Sequence, residues 1–220
     1  MPEGFARLRL VRTKLIHESS EPSPSRDILN LDPPLALNPP GEADLAETIE
    51  VTLTPAIREL AASLNSDPLK IFNYVCRNIE FKPYYGSVKG AQETLWEKEG
   101  NDFDLASLLI ALLRASGIPA RYVCGQVDVP IDRAKLWVGV KDANVCGDMF
   151  ASGGIPSGLV LSGGQITKLR TDHIWVEAWV TYNQYEGALQ NAAPKRWVPL
   201  DPSFKQYSFV PCQGVDIGPG

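Results

Sequence analysis

Apolar positions recur at helical spacing through the middle of the chain and give way to strand-like runs further on. Thr54-Pro55 is a helix start signal, a capping hydroxyl followed by proline at the first helical position. Ile57, Leu60, Ala61 and Leu64 then lie on one stripe. Asp67-Pro68 repeats the signal and opens a second helix with Ile71, Val75 and Ile79 on one face, ending before Lys82-Pro83. Tyr84-Tyr85-Gly86 reads as a turn and Gly90 to Glu97 as a short helix. The longest helix runs from Asp102 to Ser116 and stops at Gly117 and Pro119. Its Leu105, Leu108, Leu109, Leu112 and Leu113 cover more than one face, which predicts burial on most sides. Ala120–Val129, Asp172–Thr181 and Arg196–Leu200 are rich in Val, Trp and Tyr and predict strands. Helices followed by strands define an α+β fold, a helical first half packed on an antiparallel sheet.

The flanks pattern differently. Phe5 to Val11 alternates and predicts one edge strand, and the Pro-, Ser- and Asp-rich stretch after it favours extended backbone without a core. The chain therefore divides into an N-terminal arm with a linker (1–45), a domain (46–210) and a loose tail (211–220). Within the domain, residues 131–170 form an insertion with helical periodicity only around Ile131–Val138, followed by Gly153-Gly154 and Gly163-Gly164. Two readings stand. A lid would place some of Leu136, Trp137, Met149, Phe150 and Leu159 beside a cleft; a surface hairpin would turn at Gly163-Gly164.

Composition narrows the function. Hydrophobic residues make up 44% and charged residues 21%, which suits a packed domain. A net charge of −5 repels phosphate backbones, so nucleic acid is not an expected partner. No run approaches the roughly 18 apolar residues of a bilayer span, and no signal peptide is expected from MPEGFARLRLVRTK. The chain reads as part of a larger multidomain protein, and its compartment stays open. The four cysteines lack metal-ligand spacing. Cys76 and Cys124 are expected as buried inert thiols, Cys212 in the tail, and Cys146 as a minor candidate for a working thiol. No cofactor is expected.

Three segments carry candidate chemistry: Gly100-Asn101-Asp102-Phe103-Asp104-Leu105-Ala106 with the LLIALLRASGIPARYVCG that follows, His173-Ile174-Trp175-Val176-Glu177-Ala178-Trp179, and Trp197-Val198-Pro199-Leu200-Asp201-Pro202. In order and spacing they resemble bacterial transglutaminase-like domains of the papain-like thiol-enzyme superfamily, over about residues 54–205. The resemblance implies a helix that opens with Gly-x-Cys, a strand bearing the base His and a following strand ending in the Asp that orients it. Thiolate formation at the helix N-terminus is favoured by the dipole, and the imidazole takes the proton. His173 and Asp201 match the base and orienter. The nucleophile position falls on Asp102. The tryptophans Trp175, Trp179 and Trp197 are read as core packing.

A carboxylate at that position keeps the negative charge and can pair with an imidazolium, while removing a good nucleophile. Asp is also an ordinary N-cap residue. The leading expectation is a pseudoenzyme, a binding module for a peptide or glycan or a scaffold of a larger protein. The alternatives are a hydrolase or acyl-transfer enzyme using Asp102, His173 and Asp201, or a divalent-metal site at the same three residues.

Overall fold

A computed structural model of the chain describes residues 16–17, 39–181 and 195–207. The edge strand expected at Phe5 to Val11 and the tail cysteine Cys212 lie outside them.

The helical half forms where its caps dictate. In α1 (Pro55–Ser63) the Thr54 hydroxyl accepts from the Ile57 amide, and in α2 (Pro68–Asn78) the Asp67 carboxylate accepts from Leu69 and Lys70. A two-residue strand β2 (Glu80–Phe81) leads through the turn at Gly86 to α3 (Gly90–Glu97) and then β3 (Glu99–Gly100), which pairs with β2. Helix α4 (Asp102–Ala115) is buried from Asp104 to Arg114. Gly117 ends it in the left-handed region at φ 70°, with Ile118 N–H returning to Leu113 O. Each fully buried leucine of α4 contributes about 1.5–3 kcal/mol through removal from water.

The sheet is built on β6 (Gln165–Thr181), which pairs along one edge with β4 (Ala120–Pro130) from end to end. Its other edge is shared. β5 (Ser157–Ser162) covers β6 up to Thr171, and β7 (Lys195–Leu200) covers it from Val176 onward. β1 (Ile16–His17) lies parallel to β5 at the margin.

Because side chains alternate along a strand, β6 serves two cores. Val176 and Ala178 point to the main core of α1, α2, α3 and α4. Leu169, with Val129 and Leu159, points to a second core made with Trp137, Cys146 and Phe150. These last residues come from α5 (Ile131–Val138) and α6 (Ala143–Ser152). Of the residues that the lid reading places beside a cleft, Trp137, Phe150 and Leu159 are buried in the second core, Trp137 against the ring of His173, and Leu136 is exposed at the surface. The hairpin turning at Gly163-Gly164 is present, but as two strands of the main sheet. Sequence patterning also missed α6, which Asp142 caps by accepting from Asn144 and Val145.

Candidate functional site

The site is assembled where the edge of β6 away from β4 has no strand beside it, between Thr171 and Val176. The first turn of α4 occupies this gap. Asn101, not Asp102, is the N-cap: its side-chain oxygen accepts from the Asp104 amide at 2.8 Å. The capping role expected for Asp102 is thus taken by its neighbour, which leaves the Asp102 carboxylate free to reach β6. One of its oxygens accepts from the Phe103 amide at 3.0 Å and the other from the Ile174 amide at 3.0 Å.

His173 is almost fully buried, its ring edge-on to Trp137 and Phe204 at 5.3 and 5.4 Å between centroids. Its Nε2 lies 2.6 Å from Asp201 Oδ2, while Asp201 Oδ1 accepts from the Ser203 amide and hydroxyl. Its Nδ1 lies 3.1 Å from Asp102 Oδ2. That second contact is within ion-pair distance but out of line for a hydrogen bond, so Nδ1 has no hydrogen-bond partner. Asp102, His173 and Asp201 are thereby brought together. Burial by itself would push the His173 pKa down, but the carboxylates of Asp201 and Asp102 outweigh it and raise it to about 10. For Asp201, burial works upward and is outweighed by His173 and the Ser203 donors, which hold its carboxyl below the usual range. The arrangement at neutral pH is an imidazolium between two carboxylates.

Asp102 and His173 open on a cleft of about 710 Å³, which is also lined by Tyr84, Tyr85 and Ser87 and by residues Cys124 to Gln126 of β4. Asp102 and Phe103 of α4 line it, as does Ile155, which is the insertion's contribution. The tyrosine wall is fastened by α4. Buried Asp104 accepts from the Tyr84 hydroxyl at 2.5 Å and from the backbone amides of Val88, Lys89 and Gly90. The Asn101 amide donates to Tyr84 O and Gly86 O. On the insertion side the wall is packed closely too, since a Cβ at Gly153 would stand 2.1 Å from Pro83 O.

The cysteines are placed otherwise than expected in one respect. Cys124, read as buried in mid-strand, is exposed and lines the cleft. Cys146 is buried in the second core and Cys76 is half-buried, and burial pushes both thiols up to about 11. Trp197 is buried, while Trp175 and Trp179 are half-buried along β6. Among the described residues no three His, Cys, Asp or Glu side chains form a group suited to a metal ion. The metal alternative also lacks a donor at His173, where both ring nitrogens face carboxylates.

The transglutaminase-like superfamily model matches residues 52–202, more than half of the chain. This chain belongs to that superfamily. The match spans α1 to Asp201, so Asp102, His173 and Asp201 all lie within the transglutaminase-like part of the chain. Among solved structures, similarity extends to a cysteine protease candidate from Cytophaga hutchinsonii, at 19% identity and a TM-score of 0.43, over 74% of this chain and 42% of that one. The ethylmercury-bound periplasmic domain of TgpA from Pseudomonas aeruginosa is similar at 19% identity and a TM-score of 0.41, over 73% of this chain and 47% of that one. The transglutaminase-like chain thus spans less than half the length of these structures. No curated protein matches.

Sequence reasoning named Asp102, His173 and Asp201, which the structure brings together, and Trp137, which packs on His173, but it did not single out Asp104, Tyr85 or the exposure of Cys124. An aspartate two positions into an apolar helix was a visible signal for Asp104, since a buried carboxylate needs donors. Nothing local marks Cys124 as lying beside a cleft.

Proposed function

We propose that this transglutaminase-like domain is a binding module without thiol chemistry, taking a peptide or glycan in its cleft, with Asp102 at the position of the nucleophilic cysteine. The observation that carries the proposal is the 3.1 Å approach of Asp102 Oδ2 to His173 Nδ1, with Asp201 on Nε2. A nucleophilic thiol would have to sit against that nitrogen to lose its proton to it. A carboxylate there keeps the ion pair and discards the nucleophile.

The electrostatics point the same way. With its pKa raised to about 10, His173 is protonated at neutral pH and has no lone pair to act as general base. Attack by Asp102 on an amide would form an anhydride, a product less stable than the reactant and made from a carboxylate already engaged by Ile174 and His173. The triad then works as a latch that holds α4, β6 and the end of β7 together beneath an open cleft.

The deciding experiment measures amine incorporation into a glutamine peptide, and hydrolysis of the same peptide, by the wild type, Asp102→Asn and Asp102→Cys. The wild type and Asp102→Asn should both show background rates, while Asp102→Cys gains a slow activity that a thiol alkylator removes. Wild-type turnover abolished by Asp102→Asn would instead establish Asp102 as a working catalytic group.

A further inference from the structure

Two features of the cleft have no use in the latch. The first is a strand edge. β4 pairs with β6 on one side and with no strand on the other among the described residues, and its exposed residues Cys124, Gly125 and Gln126 line the cleft. An exposed edge offers backbone N–H and C=O groups in the repeat that an extended chain matches.

The second is unbalanced charge. Around the domain, partly buried carboxylates have cations: Asp128 has Arg170, Glu177 has Arg121, and Glu99 has Lys89. Asp172 and Glu50 line the cleft and have no salt-bridge partner among the described residues, and no Lys or Arg lines the cleft with them. Tyr85 belongs to the same patch: its phenol is pushed up by burial first, then by the carboxylates of Asp172 and Asp102. An aromatic ring beside carboxylates suits a guanidinium, whose plane stacks on the ring while its fork donates to oxygen.

We propose that the cleft receives an extended polypeptide along the free edge of β4 and holds one of its arginine side chains against Tyr85 and Asp172, with Glu50 completing the charge. This rests on the binding-module reading above and names its ligand class. A glycan has acceptors and donors for the edge but no cation for the carboxylates. A lysine satisfies the charge without the planar stack.

The test uses a fluorescent, end-blocked Gly-Ala-Arg-Ala-Gly peptide, with citrulline, lysine or N-methylated backbone in place of the central residue, measured by anisotropy against the whole chain. The arginine peptide should bind at least about tenfold more tightly than the citrulline isostere, the loss expected for one charge-assisted hydrogen bond. Asp172→Asn should remove most of that difference, and backbone N-methylation should weaken binding whatever the side chain. Equal binding of the arginine and citrulline peptides, or an unchanged ratio in folded Asp172→Asn, overturns the arginine assignment while leaving a peptide-binding cleft in place. Equal binding of the N-methylated peptide overturns edge pairing. Cleavage or transamidation of any peptide would sink the non-catalytic reading beneath it, and binding of an oligosaccharide but of no peptide would overturn the peptide proposal alone.

Discussion

Replacing Asp102 by Asn removes one of the two negative charges on His173 with little change of shape. An asparagine oxygen can still accept from Ile174, so the perturbation is mainly electrostatic. The shift of His173 from a free-imidazole value of about 6.5 to about 10 is about 5 kcal/mol at roughly 1.4 kcal/mol per unit, held jointly by Asp201 and Asp102 against burial. The same pairing also lowers Asp201, so the two shifts are one interaction seen from two sides and do not add. Asp201 makes the aligned 2.6 Å contact and Asp102 the misaligned one, so the smaller share, about 1–3 kcal/mol, belongs to Asp102. A group whose pKa is raised on folding contributes stability that is complete below its unfolded value and lost as pH rises through its folded value. The latch should thus be intact at pH 6 and fade between about pH 6.5 and pH 10, and in Asp102→Asn the loss should be complete about one to two units lower. On the acid side the Asp201 share fades as pH falls below about 4 through its lowered value. The assay is NMR titration of the imidazole nitrogens, in a chain with only two histidines, alongside denaturant unfolding at pH 7 and pH 10.5. The variant should be destabilised at pH 7 and close to wild type at pH 10.5. A His173 that titrates near 6.5 in the wild type, or an equal loss at both pH values, would refute the electrostatic account.

Asp104→Ala strands three backbone amides and the Tyr84 hydroxyl, so a loss of about 3 kcal/mol or more and faster amide exchange at residues 84–90 are expected. Gly153→Ala drives a methyl into Pro83 O and should cost about 1–3 kcal/mol or more in denaturant unfolding, with resonance shifts at Tyr84 and Tyr85. Among Cys76, Cys124 and Cys146, iodoacetamide should label Cys124 first, by peptide mapping of the folded protein; equal labelling of Cys146 would contradict its burial. Lys205 is held by the carbonyls of Val75, Cys76 and Pro202, and its pKa is depressed to about 8, mainly by burial. Its folded state therefore binds fewer protons than the unfolded chain between about 8 and 10.5, and Lys205→Met should lack the matching gain of stability over that interval.

The helices were legible because their ends are written in single residues. Thr54, Asp67 and Gly117 each solve a local backbone problem that looks the same in any fold. The pairing of His173 with Asp201 was legible only through family resemblance, since nothing local joins residues 28 positions apart. The second core was not legible, because α6 mixes glycine, alanine and cysteine among few large residues and its burial depends on Leu159 across from Gly147. Cys124 was misread for a related reason. A strand's middle is buried when both edges and faces are covered, and coverage of β4 is decided by elements far away in sequence.

The shared edge of β6 has a mechanical consequence. A single strand that spans two cores behaves as a beam on two supports, with the histidine mounted between them where only β4 pairs beside it. Trp137 and Phe204 brace the ring from the insertion side, and Asp102 fixes the adjoining backbone from the helical side. Trimming the insertion would remove one support and let the imidazole tilt, even though no residue of the latch had been touched. Changes in residues 131–162 would then reach the cleft as changes in alignment, leaving the composition of the site as it was.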